Sequence, residues 1–78
     1  MVENVIVYGA DWCPDCIRAK KFFTEKNINF EYVDLVANPS RRKEAKDVGK
    51  SEHIPVVVYP SGQVLVEPTN EELAEASV

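Results

Sequence analysis

The sequence predicts an α/β domain with the order β-α-β-α-β-β-α, a four-stranded mixed sheet flanked by three helices, and three observations carry that prediction. Hydrophobic periodicity changes from strand-like to helical and back between Val5 and Asp34. Two β-branched runs flank the turn residues Pro60-Ser61-Gly62. Thr69 and Glu72 have the spacing of a helix capping box.

Residues 4–8 are apolar on both faces, as a central strand covered on two sides requires. From Cys13 onward, Cys16, Ala19 and Phe23 recur at helical spacing, Phe22 widens the stripe, and Arg18, Lys21 and Glu25 fall on the opposite side. Pro14 suits the first helical position, where its missing N–H costs nothing, and Lys26-Asn27 reads as the stop because Asn tolerates the left-handed conformation. A helix over about residues 14–26 follows. Phe30-Glu31-Tyr32-Val33-Asp34 returns to strand, and a strand-helix-strand unit of this length implies parallel pairing with a right-handed crossover. Asn38-Pro39 opens a polar second helix with only Ala45 and Val48 as an apolar stripe, ending at Gly49. Val56-Val57-Val58-Tyr59 and Val64-Leu65-Val66 form a hairpin, and the third helix begins at Thr69. Tyr8, Phe22, Phe23, Phe30, Tyr32 and Tyr59 fall on these periodicities as core or half-buried sheet residues.

With 78 residues and no repeat or Gly/Ser linker, residues 1–78 are expected to form one domain. A chain of this size buries roughly 60–65% of its unfolded surface. Its 45% hydrophobic and 28% charged composition is that of an ordinary globular protein. The longest apolar runs, 5–8 and 54–59, fall far short of the roughly 20 residues a membrane span needs, and Met1-Val2-Glu3-Asn4 shows no leader pattern. A cytoplasmic location is the expectation. Net charge is −4, with basic and acidic residues interleaved along 18–26 and 41–50, so the one-signed stripe that nucleic acid requires is absent.

Both cysteines lie within Trp12-Cys13-Pro14-Asp15-Cys16. A disulfide closing so small a loop removes only about 2 kcal/mol of chain entropy, which argues for reversible chemistry over stapling. Cys13 falls at the helix start, where unpaired N–H groups and the macrodipole favour a thiolate, and Cys16 lies one turn inside on the apolar stripe. The expected roles are an exposed nucleophile at Cys13 and a less exposed resolving thiol at Cys16. Asp11 and Asp15 oppose the helix effect while Arg18 and Lys20 reinforce it. Trp12 is expected as a partner-contacting platform.

Trp12-Cys13-Pro14-Asp15-Cys16 after the first strand, Ile54-Pro55 before the third, and the Gly62 hairpin together resemble the glutaredoxins across nearly the whole chain. The resemblance implies a thioredoxin fold, thiol-disulfide oxidoreductase activity, and a cis Pro55 facing the cysteines, with the Ile54 backbone on the substrate side. Trp12, Pro14, Ile54, Pro55, Thr69 and Asn70 are accordingly the expected substrate-binding residues beside the catalytic pair Cys13 and Cys16. No resident cofactor or metal is implied; glutathione or mycothiol would be a co-substrate. Partners are a protein or mixed low-molecular-weight disulfide and a thiol or flavoprotein reductant, and a monomer is expected.

Two departures bear on the thiol. Glutathione users of the family carry Lys or Arg where Ala10 stands, and a Gly-Gly-x-Asp segment where this chain reads Val66-Glu67-Pro68-Thr69-Asn70. Thr69, Asn70 and the free amides of that helix start offer a carboxylate some purchase. Trp12 and the stretch from Gly62 to Leu73 are similar to the mycoredoxin branch. The Trp-Ser-Gly-Phe-Arg-Pro segment of redoxins that feed ribonucleotide reductase is missing.

Other chemistries fit less well. A structural zinc site wants four ligands, and only His53 remains beside the cysteines, so a metal or iron–sulfur cluster would have to bridge two chains. A non-catalytic binding module of the same fold is the alternative from a different class.

Overall fold

The computed structural model describes residues 4–77; Met1, Val2 and Glu3, on which the leader reading rests, lie outside them. Strand β1 (Val5–Gly9) leads into helix α1 (Pro14–Glu25) and strand β2 (Phe30–Asp34). A 3₁₀ turn (Pro39–Arg41) precedes helix α2 (Arg42–Gly49), followed by β3 (Val56–Val58), β4 (Val64–Val66) and α3 (Asn70–Ala76). The sheet order is β2-β1-β3-β4. β1 pairs parallel with β2 in the register Val7↔Tyr32, and antiparallel with β3 in the register Val7↔Val57. β3 and β4 form the antiparallel hairpin.

The central position of β1 explains its apolarity on both faces. On one face, Val5, Val7 and Val57 pack with Ala19, Phe22 and Phe23 of α1, Tyr59, and Leu73 of α3. On the other, Tyr8, Val33, Leu35 and Val56 receive Ala45, the one buried residue of α2. The second layer is thin, as the polar sequence of α2 predicts. A hydrogen bond from the Tyr8 hydroxyl to the Glu44 carboxylate, with Arg41 2.7 Å from the same Glu44 oxygen, adds a polar tie between β1 and α2.

Helix α1 ends as expected: Asn27 is left-handed (φ 57°) and the Ile28 N–H returns to the Phe23 carbonyl at 2.9 Å. One detail differs from the sequence expectation. The second helix opens as a 3₁₀ turn, because the Arg41 N–H bonds the Asn38 carbonyl at 3.0 Å and tightens the first turn after Pro39. Gly49 closes α2 as expected, and the left-handed residue that follows it is Lys50 (φ 56°). Gly49 also packs closely on the sheet: a Cβ there would lie 3.0 Å from a Val56 methyl, which would have to give by a few tenths of an ångström. At the hairpin, Gly62 (φ 96°) supplies the conformation that only glycine adopts cheaply.

Candidate active site

The loop between β1 and α1 is drawn tight by a hydrogen bond from the Cys13 N–H to the Ala10 carbonyl at 3.1 Å. Cys13 is thereby the N-cap of α1, in extended conformation, and its side chain makes no capping hydrogen bond. The first-turn amides are left without a side-chain acceptor, and the partial positive charge of the helix start falls at the Cys13 position.

The expectation of an exposed Cys13 is corrected: it is only 7% exposed, in the tight turn from Ala10, while the neighbouring Trp12 stands in solvent at 72%. Cys16 is fully buried. Burial pushes the Cys16 thiol up to about 12, and hydrogen bonding to Cys13 adds to the rise. The two sulfurs are thus unlike: one sits at the helix start with some access, and the other is held protonated beneath it.

Cys16 also presses on β1. A Cβ built on Gly9 would lie 2.7 Å from the Cys16 sulfur and 3.3 Å from Cε1 of Tyr32, so glycine at this point creates the space that the buried thiol and the ring edge share. The charges named in the sequence pair off. Asp15 lies 3.4 Å from Arg18, and Asp11 lies 3.8 Å from Lys20, so neither carboxylate acts on the cysteines without an opposing cation.

Trp12 and Ile54 line one groove of about 500 Å³, together with Ala10 and Val36 and, from α2, Arg42 and Lys46. The Ile54-Pro55 peptide is cis. Pro55 is fully buried, and its carbonyl accepts the Glu67 N–H at 2.9 Å. Pro14 stands exposed at the first position of α1. His53 is largely exposed, with Nδ1 3.8 Å from Glu67.

Thr69 and Asn70 are less available than the sequence suggested. The Thr69 hydroxyl accepts the Glu72 N–H at 3.1 Å, and the Glu72 carboxylate accepts the Thr69 N–H at 2.9 Å. This reciprocal capping box occupies amides that the sequence reading left free for a carboxylate, and places Glu71 and Glu72 in the first turn. The Asn70 side chain is held by Arg18, whose guanidinium donates to Asn70 Oδ1 and to the Pro68 carbonyl, each at 2.8 Å. Arg18 therefore ties α1 to the start of α3.

Sequence reasoning missed three contributors. Gly9 was legible as an isolated glycine ending a strand, a sign of close backbone approach. Tyr32 was read as sheet packing only, and the distance of Arg18 from Asn70 along the chain left no local signal. Among the described residues, no group of three or more His, Cys, Asp and Glu side chains is arranged to hold a metal ion, and no helix is long and apolar enough to cross a membrane.

A four-stranded mixed sheet with α1 and α3 on one face, α2 on the other, and a cysteine pair at the first strand-to-helix junction defines a thioredoxin-fold domain. The chain belongs to the glutaredoxin family, whose profile matches residues 5–65. A glutaredoxin of Pseudomonas aeruginosa is 32% identical over 53 residues, covering 68% of this chain and 63% of that protein. The chain thus spans somewhat less than two thirds of that relative's length. The crystal structure of a glutaredoxin from Archaeoglobus fulgidus superposes with a TM-score of 0.82 at 23% identity, covering 92% of this chain and 83% of that one. A solved thioredoxin-like protein gives a TM-score of 0.82 at 26% identity, covering 92% and 97%.

Proposed function

We propose that this protein is a dithiol-disulfide oxidoreductase. The observation that carries the reading is the asymmetry of the pair: Cys13 caps α1 with no side-chain capping bond, while Cys16 is fully buried with its thiol pushed up. Cys13, as thiolate, attacks a substrate disulfide; one S–S bond forms, another breaks, and the leaving sulfur departs as a thiolate. Cys16 then loses its proton and attacks the Cys13 sulfur. The intramolecular disulfide forms, the second substrate sulfur leaves, and two electrons have passed from the protein to the substrate. An external thiol or flavoprotein reductase restores the dithiol, and no resident cofactor takes part.

The groove lined by Trp12 and Ile54 is the substrate side in this reading, offering apolar surface beside Arg42 and Lys46, the latter 3.4 Å from Glu52 of the same groove. Ala10 is buried and carries no charge for a small-thiol carboxylate, and the capping carboxylate of Glu72 occupies the start of α3. Both features favour selection of the substrate through the groove over anchoring of glutathione at α3. A reducing, cytoplasmic setting suits a pair that must cycle.

The test is steady-state reduction of a small mixed disulfide and of a protein disulfide by wild type and Cys13→Ser, with glutathione, mycothiol and a flavoprotein reductase compared as electron sources. Cys13→Ser is expected to lose turnover with every source. Turnover at the wild-type rate would refute the enzyme reading and favour a binding module of the same fold.

A further inference from the structure

The resolving step asks a buried thiol to become an anion, and the question is what offsets that charge. The groups facing Cys16 are Cys13 and Asp15 from α1, the backbone of Gly9 and Ala10, and Tyr32 from β2. Asp15 disfavours the anion, although Arg18 pairs with it. Lys20 stands four residues after Cys16 on α1, a spacing that brings side chains together on one helix face. Its ammonium lies 4.0 Å from the centroid of the Tyr32 ring, and an edge of that ring reaches the same Gly9 face as the Cys16 sulfur. Asp11 fixes both partners, with Oδ1 3.8 Å from the Lys20 ammonium and accepting from the Tyr32 hydroxyl at 3.4 Å.

We propose that Lys20, held over Tyr32 and tethered by Asp11, is the cation that stabilises the Cys16 thiolate during resolution. The inference rests on the dithiol reading above. In the mixed disulfide Cys13 is uncharged, so the developing negative charge lies on Cys16 alone. The Cys16 proton leaves to solvent, its sulfur bonds to Cys13, and the Cys13–substrate bond breaks. Lys20 transfers no proton; it lowers the cost of the anion through space, and Tyr32 and Asp11 are positioning residues for it.

The probe is 5,5′-dithiobis(2-nitrobenzoate) followed by stopped flow, in which attack by Cys13 releases the first thionitrobenzoate and attack by Cys16 the second. Lys20→Met keeps the apolar stem and removes the charge. It is expected to move the inflection of the second release up by about 0.5–1 pH unit for a partly screened charge nearby. The second release slows only about two- to fourfold below the inflection, because a thiolate of higher pKa is also the better nucleophile. Lys20→Arg is expected to restore the profile. Asp11→Asn, which keeps the Oδ1 acceptor that positions Lys20 and Tyr32 while removing the opposing negative charge, is expected to move the inflection down. The first release, measured in Cys16→Ser, should stay within about twofold of its reference when Lys20→Met is added, since Lys20 is assigned to Cys16. A second-release profile that superimposes on wild type, an Asp11→Asn shift in the same direction as Lys20→Met, or equal slowing of both releases would overturn the proposal. Failure of the dithiol reading is separately visible as an undiminished first release from Cys13→Ser.

Discussion

Gly9 and Cys16 share one space: a methyl group on Gly9 would stand 2.7 Å from the Cys16 sulfur and 2.9 Å from its Cβ. Contacts that short are not tolerated without movement, and Cys16, fully buried on the inner face of α1, has little freedom to move. Gly9→Ala should therefore destabilise the fold by about 1–3 kcal/mol, as overpacking of a filled core does. It should also displace the resolving sulfur. Urea unfolding reads the first effect and the second release of thionitrobenzoate the second; a variant of wild-type stability and resolving rate would show that this contact relaxes freely.

The raised Cys16 thiol sets an alkaline limit on the reduced protein. Its ordinary ionisation lies near 9.0 and its folded value is pushed up to about 12. Between these, the unfolded chain has released a proton that the native state still holds, so stability falls as pH rises through this window and is unaffected below it. Tyr8, Tyr32 and Tyr59 are shifted in the same direction by burial and add to the loss. Urea midpoints of reduced wild type and Cys16→Ser at pH 7, 9 and 10.5 isolate the thiol: wild type should lose more stability than the variant across that range. Parallel curves would contradict the shift.

Much of this was legible in the sequence because it depends on local chemistry. Pro14, Asn27, Gly62 and the Thr69–Glu72 pair each impose a backbone condition, and from them follow the two ends of α1, the β3–β4 turn and the start of α3. Strand β2 and the asymmetry of Cys13 and Cys16 likewise follow from short-range periodicity. What the sequence hid depends on contacts between distant segments. The engagement of Asn70 comes from Arg18 on another helix, and the neighbourhood of Cys16 from Gly9 and Tyr32 on two strands. No residue in those sets signals its partner by spacing, because the fold, not the chain, makes them neighbours.

The capping box at α3 stabilises the start of that helix. Thr69→Ala removes the hydroxyl that accepts the Glu72 N–H and should cost about 1 kcal/mol. Glu72→Gln keeps the capacity to bond the Thr69 N–H while removing the charge at the helix start, so stability should change little. An unchanged Thr69→Ala midpoint in thermal or urea unfolding would show that the cap contributes nothing measurable.

Trp12 separates binding from folding. At 72% exposure it contributes little to the core, so Trp12→Ala should leave the unfolding free energy within about 0.5 kcal/mol of wild type. Its place on the groove with Ile54 predicts a raised KM for a peptide disulfide, while the first release from the small aromatic probe in the absence of peptide keeps its pH profile. Equal KM values for wild type and variant would remove Trp12 from the substrate surface.

The central claim, that Cys13 attacks and Cys16 resolves, is tested most directly by trapping the intermediate. Each single Cys→Ser variant is mixed with an excess of a small symmetric disulfide and examined by intact mass and peptide mapping. The account predicts that Cys16→Ser accumulates a mixed disulfide on Cys13 that persists, that Cys13→Ser forms none on the same timescale, and that wild type passes to the Cys13–Cys16 disulfide. Rapid adduct formation on Cys16 in Cys13→Ser, with Cys13 of the other variant unmodified, would reverse the roles and contradict the account.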